Sequence, residues 1–581
     1  MSFTRIFVCL LALGLMPTAE ADPTEDFHAL LDEVWEWQLR ESPMFASRLG
    51  DRRFNDQWTD NSIAAIERRQ DETREFLRRT YEIDRTALSE NDQLNHELFR
   101  RSLQDRVDQF PFDGHLIPFY QRGGVQNIDS NTSQLRFATV KDYEDWLARL
   151  GKIDVVIEQT IALAEAGRKH GLVSPKILME RIPDQIAVQL VDDAEDSPFY
   201  RVFAADNDAI GEDDMARLRA QARDVIEDTV LPAYRELDEY FTDTYLPNSR
   251  DSIGLSELPN GEEWYELRAR QFTTTQMSPD EIHRIGLNEV ARIRGEMQAV
   301  IDSLDFEGDF RDFLEFLRTD PQFYYDTPEE LYQAYLATSK RIDPELVKLF
   351  GTLPRMPYGV KPIPDSIAPD TTTAYYTRPA ADGSRAGIYW VNLYKPEVRP
   401  KYEIEVLSVH EAMPGHHLQL AIQQELGDMP DFRRFMGFTA FSEGWGLYSE
   451  SLGYDLGLYK DPYSQFGALT YEMWRAVRLV VDTGMHYKGW TRQQAIDFFK
   501  DNAAKTELDI INEIDRYIGW PGQALAYKIG QLKMLQIRER AEIALGDAFD
   551  VREFHDELLG AGALPLDILE QRMDGWLESQ M

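Results

Sequence analysis

Apolar residues recur with helical spacing along most of the chain. Near the N-terminus they follow the i, i+3, i+4, i+7, i+8 pattern of one helix face, directly after the helix-start residues Pro23 and Thr24. The members of this first stripe are Phe27, Leu30, Leu31, Val34 and Trp35. Long amphipathic patterns continue over residues 60–108, 140–170 and 211–242. We therefore expect a mostly α-helical protein whose apolar stripes form its core.

The helical pattern continues in the second half of the chain. Ser278 and Glu281 form an S-x-x-E capping box, and Pro279 occupies the first helical position, so a helix is predicted to begin there. The length of 581 residues favours more than one lobe. We expect an N-terminal helical lobe at 22–250 and a second, candidate catalytic lobe at 251–581, both belonging to one continuous unit.

One segment departs from the helical pattern. Prolines and glycines are concentrated in Gly351–Pro369, which predicts a loop. The β-prone runs Thr372–Tyr376 and Gly387–Leu393 flank Ala381–Ser384 and predict a hairpin or small sheet. The second strand could offer a free edge, together with Asn392, to an extended peptide substrate. The alternative is an ordinary covered strand.

The N-terminal 21 residues are typical of a cleavable signal peptide. Arg5 supplies the positive charge, Ile6–Met16 the apolar stretch, and Ala19-Glu20-Ala21 the small-x-small cleavage pattern. We therefore predict export to the periplasm or outside the cell. Cys9 lies inside the apolar stretch and not in the small-residue context of a lipoprotein cleavage site, which argues against lipid anchoring. No later stretch reaches the roughly 18 apolar residues of a membrane helix, so no stable membrane anchor is expected after cleavage.

Charge and cysteine content narrow the function classes. The formal net charge is −40, from 102 acidic and 62 basic residues, and such a charge repels nucleic acids and anionic membranes. Solubility is the favoured explanation of this acidity, and attraction of a cationic substrate is the alternative. The single cysteine is removed with the signal peptide, which excludes disulfides and cysteine ligands from the mature chain. Any bound metal must then be held by His, Asp or Glu. Nothing in the pattern indicates an oligomeric state.

Three of the ten histidines fall within eight residues, in the run from His410 to His417. In an H-E-x-x-H helix, two histidines one turn apart bind zinc and the intervening glutamate acts as general base. Here His410 and His416 are six residues apart, so a regular helix would separate them by about 600° of rotation and roughly 9 Å. Pro414 and Gly415 predict a break that lets both histidines reach one ion. A histidine-decorated helix terminus is the structural alternative.

A catalytic zinc ion needs a third protein ligand. We expect Glu443, because the small residues that flank it allow close approach of a second helix. Glu450 lies seven residues later on nearly the same helix face and could be either a rival ligand or an acceptor that orients a ligand histidine. His417 is the less favoured alternative to His416. Glu411, beside His410, is the candidate general base.

Three segments resemble a known family. The run from His410 to Gln419, the segment Ser442-Glu443-Gly444-Trp445-Gly446 and the run from Val481 to His486 are similar to the bacterial domain-of-unknown-function 885 family, which is itself similar to the gluzincin metallopeptidases. That group includes angiotensin-converting enzyme, thimet oligopeptidase and dipeptidyl peptidase III. The resemblance covers most of the chain after residue 21, including Asn260-Gly261 with Trp264-Tyr265. It implies a helical fold with a deep groove and a zinc ion held by two His and one Glu. The spacing departs from H-E-x-x-H, which leaves both the second histidine and activity itself open.

The chemistry implied is hydrolysis of a peptide bond. Zinc would activate a water molecule and polarise the carbonyl, while Glu411 takes a proton and passes it to the leaving amine. The family resemblance makes Tyr527 and His486 candidates to stabilise the oxyanion, although a lone Tyr or His is more often structural. Arg475 and Arg478, three apart on one helix, could bind a substrate carboxylate or pair with nearby acids.

The sequence thus predicts a secreted zinc peptidase that acts on small or unfolded peptides. A zinc hydrolase of another amide or ester and a catalytically silent peptide-binding protein are the two alternatives.

Overall fold

The structure, a computed structural model, describes residues 22–365, 368–380, 383, 385–427 and 429–581. The predicted signal peptide, with Cys9, lies outside the described residues. So do three of the four residues predicted to join the two strands, Ala381, Asp382 and Ser384.

Helices dominate the described chain, as the apolar periodicity predicts. The first eleven precede residue 250: α1 Pro23–Glu41, α2 Pro43–Leu49, α3 Ile63–Glu82, α4 Glu90–Gln109, α5 Val140–Leu150, α6 Ile153–Lys169, α7 Lys176–Met179, α8 Ile182–Ala187, α9 Arg201–Ala204, α10 Glu212–Val225 and α11 Leu231–Tyr240. The π-helical turns Ile226–Val230 and Phe241–Tyr245 extend α10 and α11 into one long helical rod.

Fourteen further helices follow in the described residues. Four precede the sheet: α12 Gly261–Thr273, α13 Pro279–Ser303, α14 Phe310–Thr319 and α15 Pro328–Ile342. Ten come after it: α16 Ile404–Glu411, α17 His416–Glu425, α18 Asp431–Phe435, α19 Thr439–Leu452, α20 Pro462–His486, α21 Arg492–Asn502, α22 Glu507–Gly519, α23 Ala526–Leu545, α24 Val551–Leu559 and α25 Leu566–Gln580. The capping box predicted at Ser278 is formed with Glu281 at the start of α13.

A small sheet lies beside α16. Its strands are β1 Tyr358–Pro362, β2 Ala374–Thr377 and β3 Gly387–Val391, in the order β1-β3-β2. β2 and β3 pair antiparallel, which confirms the predicted pairing. β3 also pairs in parallel with β1, a strand within the segment predicted to be a loop. The expectation that the second strand offers a free edge to a peptide is therefore wrong, because β3 is the central strand and is bonded on both sides.

The sheet packs on the helices through aromatic side chains. The rings of Tyr389 on β3 and Tyr335 on α15 meet edge to face with centroids 5.9 Å apart. The Tyr389 hydroxyl lies 3.5 Å from the Ser408 hydroxyl on α16. The sheet thus supports the helix that carries His410.

One large apolar core runs from Leu98 to Met573 and includes residues on both sides of position 250. A second, smaller cluster lies among α1, α3 and α4. Within the core, α13 packs along α20 and α19 along α23. The division into two lobes stays a prediction, whereas the shared core is a property of the structure. Within the described residues, the structure contains no helix with the length and apolar character that crossing a bilayer requires.

Candidate metal centre

The chain breaks between the two candidate ligand histidines, as Pro414 and Gly415 predict. α16 ends at Glu411, the backbone turns sharply, and α17 begins at His416. The Gly415 N–H donates to the Val409 carbonyl over 2.9 Å. A side chain at Gly415 would be impossible in this turn, since a Cβ atom there would lie 1.9 Å from the His410 carbonyl oxygen.

Trp445 on α19 fixes this turn from the other side. Its indole N–H donates to the Pro414 carbonyl at 2.8 Å and to the Gly415 carbonyl at 3.2 Å. The indole is fully buried, so these bonds also satisfy carbonyl groups that the broken helix leaves unpaired. The turn is thereby tied to the helix that carries Glu443.

His410, His416 and Glu443 meet at one point, with a ligand atom of each within 4.8 Å of the others. The Nε2 atoms of His410 and His416 lie 3.8 Å and 3.5 Å from Oε2 of Glu443. Two ligands of a tetrahedral zinc ion, each about 2.05 Å from it, are about 3.3 Å apart. Small side-chain movements would therefore bring all three atoms into coordination distance. The imidazole rings stand nearly perpendicular, at 85°.

Glu450 orients His410. The His410 Nδ1–H donates to Oε1 of Glu450 over 2.7 Å, which directs Nε2 towards Glu443. A carboxylate in this position fixes the ring orientation of a ligand histidine and raises its basicity. Arg475 closes the network, because its Nη2 lies 3.3 Å from the same Glu450 oxygen. Glu450 is outside the three-residue cluster, in the place of the orienting acceptor and not of a rival ligand.

The site has the electrostatic character of a cation site. Burial alone would lower the pKa of His410, but the neighbouring carboxylates of Glu443 and Glu450 raise it to about 9. Burial would raise the pKa of Glu443, yet the two imidazoles hold it well below its ordinary range. The Glu443 carboxylate thus stays ionised beside buried imidazoles. A bound divalent cation would neutralise this charge.

The donor set fits zinc. Two imidazoles and one carboxylate, with no cysteine, form a donor set of known catalytic zinc sites, in which the fourth position is left for water or substrate. The His416 Nδ1 is buried and has no hydrogen-bond partner among the described residues. Side chains of His416 and Glu443 are 14% and 21% exposed, so the metal position is recessed but open to small molecules.

Glu411, the predicted base, is the last residue of α16. Its side chain is partly exposed, and within the described part of the chain it has no hydrogen-bond or ion-pair partner. Its charge adds to the burial that raises the pKa of Tyr389. Glu411 thus follows a metal-ligand candidate in the chain, and no other side chain of the described residues occupies its carboxylate, which leaves it available as a general base.

Tyr527 on α23 is close to the cluster. Burial raises its pKa, and the charge of Glu443 adds to this effect. The Gln523 side-chain N–H donates to the Tyr527 oxygen at 3.4 Å, so the phenol proton remains available to an acceptor. α19 and α23 touch nearby, where a Cβ at Gly444 would lie 2.6 Å from the Gly530 Cα. The small residues beside Glu443 thus permit the close helix approach that the sequence predicts.

His417 does not join the cluster. Its Nε2–H donates to the Met356 carbonyl at 3.0 Å, and its Nδ1 accepts from the Tyr376 hydroxyl at 2.7 Å. Burial lowers its pKa to about 4, which keeps the ring neutral. Both ring nitrogens are occupied, so His416 and not His417 faces the candidate metal position.

His486 has a structural position, and the expectation that it stabilises an oxyanion is wrong. The side chain is fully buried; Nδ1 accepts from the Leu255 N–H at 3.0 Å and Nε2–H donates to the Tyr517 carbonyl at 3.0 Å. Burial lowers its pKa to about 3. With both nitrogens bonded to backbone, the ring has no donor for a substrate.

Two of the expected substrate-binding residues are also corrected. Asn392 is fully buried, its amide N–H groups donate to the Ala368, Thr371 and Thr372 carbonyls, and its oxygen accepts from the Tyr394 N–H. It therefore fixes the loop before β2 instead of contacting a peptide. Arg475 is 4% exposed and pairs with Glu450, which places it behind His410.

Arg478 is buried next to Tyr527, with its guanidinium carbon 4.1 Å from the centre of the tyrosine ring. Sequence reasoning missed the two residues that continue this network: Arg516 donates to the Gln523 side-chain oxygen at 2.8 Å, and Gln523 contacts Tyr527. Gln523 could have been predicted to contact Tyr527, because it lies four residues, about one helical turn, before it. No feature of the neighbouring sequence identifies Arg516 as part of this network.

Two of the segments that carry the family resemblance, those with Tyr265 and Asp482, contact each other behind the site. The Tyr265 hydroxyl donates to the Asp482 carboxyl at 2.5 Å, and the Gly522 N–H donates to the same oxygen at 3.0 Å. Burial raises the pKa of Asp482 to about 7. This buried carboxyl joins α12 and α20 to the loop that precedes Tyr527.

Solved structures similar to this chain include those of two proteins from different organisms. The crystal structure of the "putative lipoprotein" from Colwellia psychrerythraea has 30% sequence identity and a TM-score of 0.88; the match covers 96% of this chain and 100% of that one. The structure of a "putative lipoprotein of unknown function" from Shewanella oneidensis has 18% identity and a TM-score of 0.73, over 95% and 100% of the two chains, and shows the shared fold.

Curated proteins provide no match to this chain. A family model does match, over residues 43–573, which is nearly all of the described chain and includes every residue of the candidate metal centre. The chain therefore belongs to the family described as bacterial protein of unknown function, DUF885.

Proposed function

We propose that this protein is an exported, zinc-dependent metallopeptidase. The observation that carries the proposal is the convergence of His410, His416 and Glu443, with ligand atoms within 4.8 Å of one another. Glu411 follows His410 in the sequence, and its carboxylate has no hydrogen-bond or ion-pair partner among the described residues. This combination of three ligands and a free base favours metal-assisted hydrolysis over a passive metal site. The resemblance of the sequence to the gluzincin peptidases supports an amide bond as the bond that is cut.

The proposed mechanism assigns a task to each residue. When bound, zinc supplies Lewis acidity, which polarises a carbonyl group and acidifies water. Glu411 accepts the proton of the attacking water and delivers it to the leaving amine, so the proton count balances over one hydrolysis. The free phenol proton of Tyr527 forms a hydrogen bond with the oxyanion that develops on the carbonyl oxygen. Glu450 keeps the His410 ring in place throughout.

The substrates proposed are small or unfolded peptides. The partial exposure of His416 and Glu443 lets a flexible chain approach them, whereas the surface of a folded protein could not reach recessed side chains. β-augmentation on β3 has no part in this proposal, since both edges of that strand are paired.

Export is proposed from the signal peptide pattern in residues 1–21. The description of the two similar proteins as lipoproteins supports a location outside the cytoplasm. That description does not support the prediction that the protein lacks a lipid anchor. The prediction rests only on the sequence context of Cys9.

Replacement of Glu411 tests the proposal. The Glu411→Gln variant should retain one zinc ion per chain in metal analysis, because the three ligands are unchanged. Its hydrolysis of a mixed peptide pool, followed by mass spectrometry, should fall by about 100-fold or more, since the general base is lost. The matched control is Glu397→Gln, which removes an exposed carboxylate outside the site and should leave both properties unchanged.

Each negative result has a distinct meaning. Absence of a stoichiometric divalent ion from the purified wild-type protein would contradict the metal site. Unchanged turnover in Glu411→Gln would contradict the assigned base. If the wild type binds zinc but cleaves no peptide, the peptidase proposal is contradicted. The remaining functions are then a peptide-binding protein or a hydrolase of another amide or ester.

A further inference from the structure

A group of arginines surrounds one carboxylate close to Tyr527. Arg478 donates from Nη2 to Glu513 at 3.1 Å, and Arg516 donates from its own Nη2 to the same carboxylate at 3.1 Å. Burial would raise the pKa of Glu513, but the charges of Arg516 and Arg478, with a smaller contribution from Arg122, hold it well below its ordinary range. Two guanidinium groups thus bind one carboxylate, a local excess of positive charge in a chain whose net charge is −40.

One nitrogen of this group lacks a partner. Arg478 is 4% exposed; its Nε donates to the Tyr517 hydroxyl and its Nη2 to Glu513, but Nη1 is buried and has no hydrogen-bond partner in the described structure. A charged donor buried without an acceptor is costly, so a ligand that supplies an acceptor would bind favourably here. Arg122 is exposed and likewise has no hydrogen-bond or ion-pair partner among the described residues.

The arginine group lies beside Tyr527 on α23. The Arg478 guanidinium carbon is 4.1 Å from the ring centre of Tyr527, and Arg516 reaches the Tyr527 hydroxyl through Gln523. Tyr527 is three residues before Gly530, and Glu443 is next to Gly444, the glycine against which Gly530 packs. Arg478 and the metal-ligand candidate Glu443 are both close enough to Tyr527 for their charges to act on its pKa, which burial raises.

We propose that Arg478, supported by Arg516 and Arg122, binds a carboxylate of the peptide substrate. A guanidinium group is suited to carboxylates because its planar N–H groups match their two oxygens. The carboxylate nearest to a scissile bond at the metal site is the C-terminal one of a short peptide, or an acidic side chain. If the bound group is the terminal carboxylate, the protein cuts close to a peptide C-terminus. This inference rests on the proposed metallopeptidase function and specifies its substrate class.

The test compares two pools of short N-acetylated peptides with identical sequences, one ending in a free carboxylate and the other in a carboxamide. Hydrolysis by the zinc-loaded wild type should favour the acid pool by about 10-fold or more, as expected for a hydrogen bond to a charged group. In Arg478→Met the preference should fall to near parity, and in Arg122→Ala it should fall a few-fold. Arg552→Ala, which removes an exposed charge elsewhere, is the matched control and should keep the full preference.

Binding separates this inference from the proposed function. The inactive Glu411→Gln variant, loaded with zinc, is mixed with each pool, and the retained peptides are quantified by ultrafiltration and mass spectrometry. Preferential retention of the acid pool supports the carboxylate site even if the wild type cuts neither pool. Cleavage of both pools at equal rates, or an acid preference that survives Arg478→Met, overturns the inference and leaves the peptidase proposal standing. Equal retention, or retention of neither pool, also overturns it.

Two further arms complete the design. A third pool, amidated and ending in Glu, identifies the source of the carboxylate: retention equal to the acid pool indicates a side chain, and retention equal to the plain amides indicates the terminal carboxylate. Arg478→Lys keeps the charge but loses the planar donors, and it should recover only part of the preference. If Arg478→Met does not fold, the wild type alone still tests the inference. A ratio near one between its hydrolysis of the acid pool and of the amide pool contradicts the carboxylate site.

Discussion

His410 is the residue on which the candidate metal centre depends most, and Glu450 is its main support. The 2.7 Å bond between them sets the ring orientation, and Arg475 holds the Glu450 oxygen from the other side. In Glu450→Gln the charge that makes His410 a better ligand is lost. We expect zinc affinity, measured by competition with a chelator, to fall about 10- to 100-fold. The control is Glu405→Gln on α16, the helix that carries His410. It removes an equal charge and should leave zinc affinity unchanged. Equal zinc affinity in the two variants would contradict the role of Glu450.

Asp482 gives a second prediction at the scale of one residue. Burial raises its pKa to about 7, although the bonds from Tyr265 and the Gly522 N–H oppose this shift. The folded protein therefore keeps a proton on Asp482 that the unfolded chain releases near pH 4. Its contribution to the free energy of unfolding should decrease by about 1.4 kcal/mol per pH unit as pH rises from about 4 to 7, and stay constant above that range.

The Asp482→Asn variant isolates this contribution, since an amide oxygen can still accept both hydrogen bonds. Urea unfolding at pH 5, 6 and 7 should show that the stability of Asp482→Asn relative to the wild type increases with pH. Parallel stability curves for the two proteins across this range would show that Asp482 has no raised pKa.

At the scale of helices, the contact between α19 and α23 positions Glu443 relative to Tyr527. A Cβ atom at Gly530 would lie 2.0 Å from the Ala440 carbonyl oxygen, so the helices can touch only because this residue is glycine. Gly530→Ala should separate the helices, lower the free energy of unfolding by about 2 kcal/mol and reduce peptidase activity by moving Tyr527. Gly295→Ala on α13, where a Cβ meets nothing within 4 Å, should be neutral or stabilising. Equal effects of the two substitutions on thermal unfolding would refute the close-contact argument.

Local features were predictable from the sequence at this scale. The break between α16 and α17 follows from Pro414 and Gly415 alone, and the α13 start follows from the Ser278 capping box, because each depends on neighbouring residues. β1 was not predictable, since its partner β3 lies nearly thirty residues away and prolines and glycines surround it. His486 and Asn392 were misjudged for a related reason: their hydrogen-bond partners, such as Leu255 and Ala368, are distant in sequence.

At the scale of the whole molecule, one apolar core joins both predicted lobes. It extends from Leu98 to Met573, and buried Asp515 adds an ion pair to Arg181 across position 250. We expect fragments 22–250 and 251–581 to be unable to fold separately, because each would expose part of a shared core. Circular dichroism and hydrogen exchange of the two fragments would check this, with the chain from residue 22 as the control. A fragment with native-like protection would show that the lobes are independent domains.

The division of the two histidines between α16 and α17 has a consequence for how such proteins are recognised. A search pattern written for one continuous helix requires the second histidine three residues after the glutamate and passes over this chain, in which His416 is the fifth residue after Glu411. The structure supplies a better signature: His-Glu, four residues that end in Pro-Gly, a histidine, and later a glutamate followed by Gly-Trp-Gly. Each part of that signature corresponds to a feature of the site. Pro-Gly marks the helix break, the two histidines and the later glutamate are the candidate ligands, and the tryptophan holds the turn.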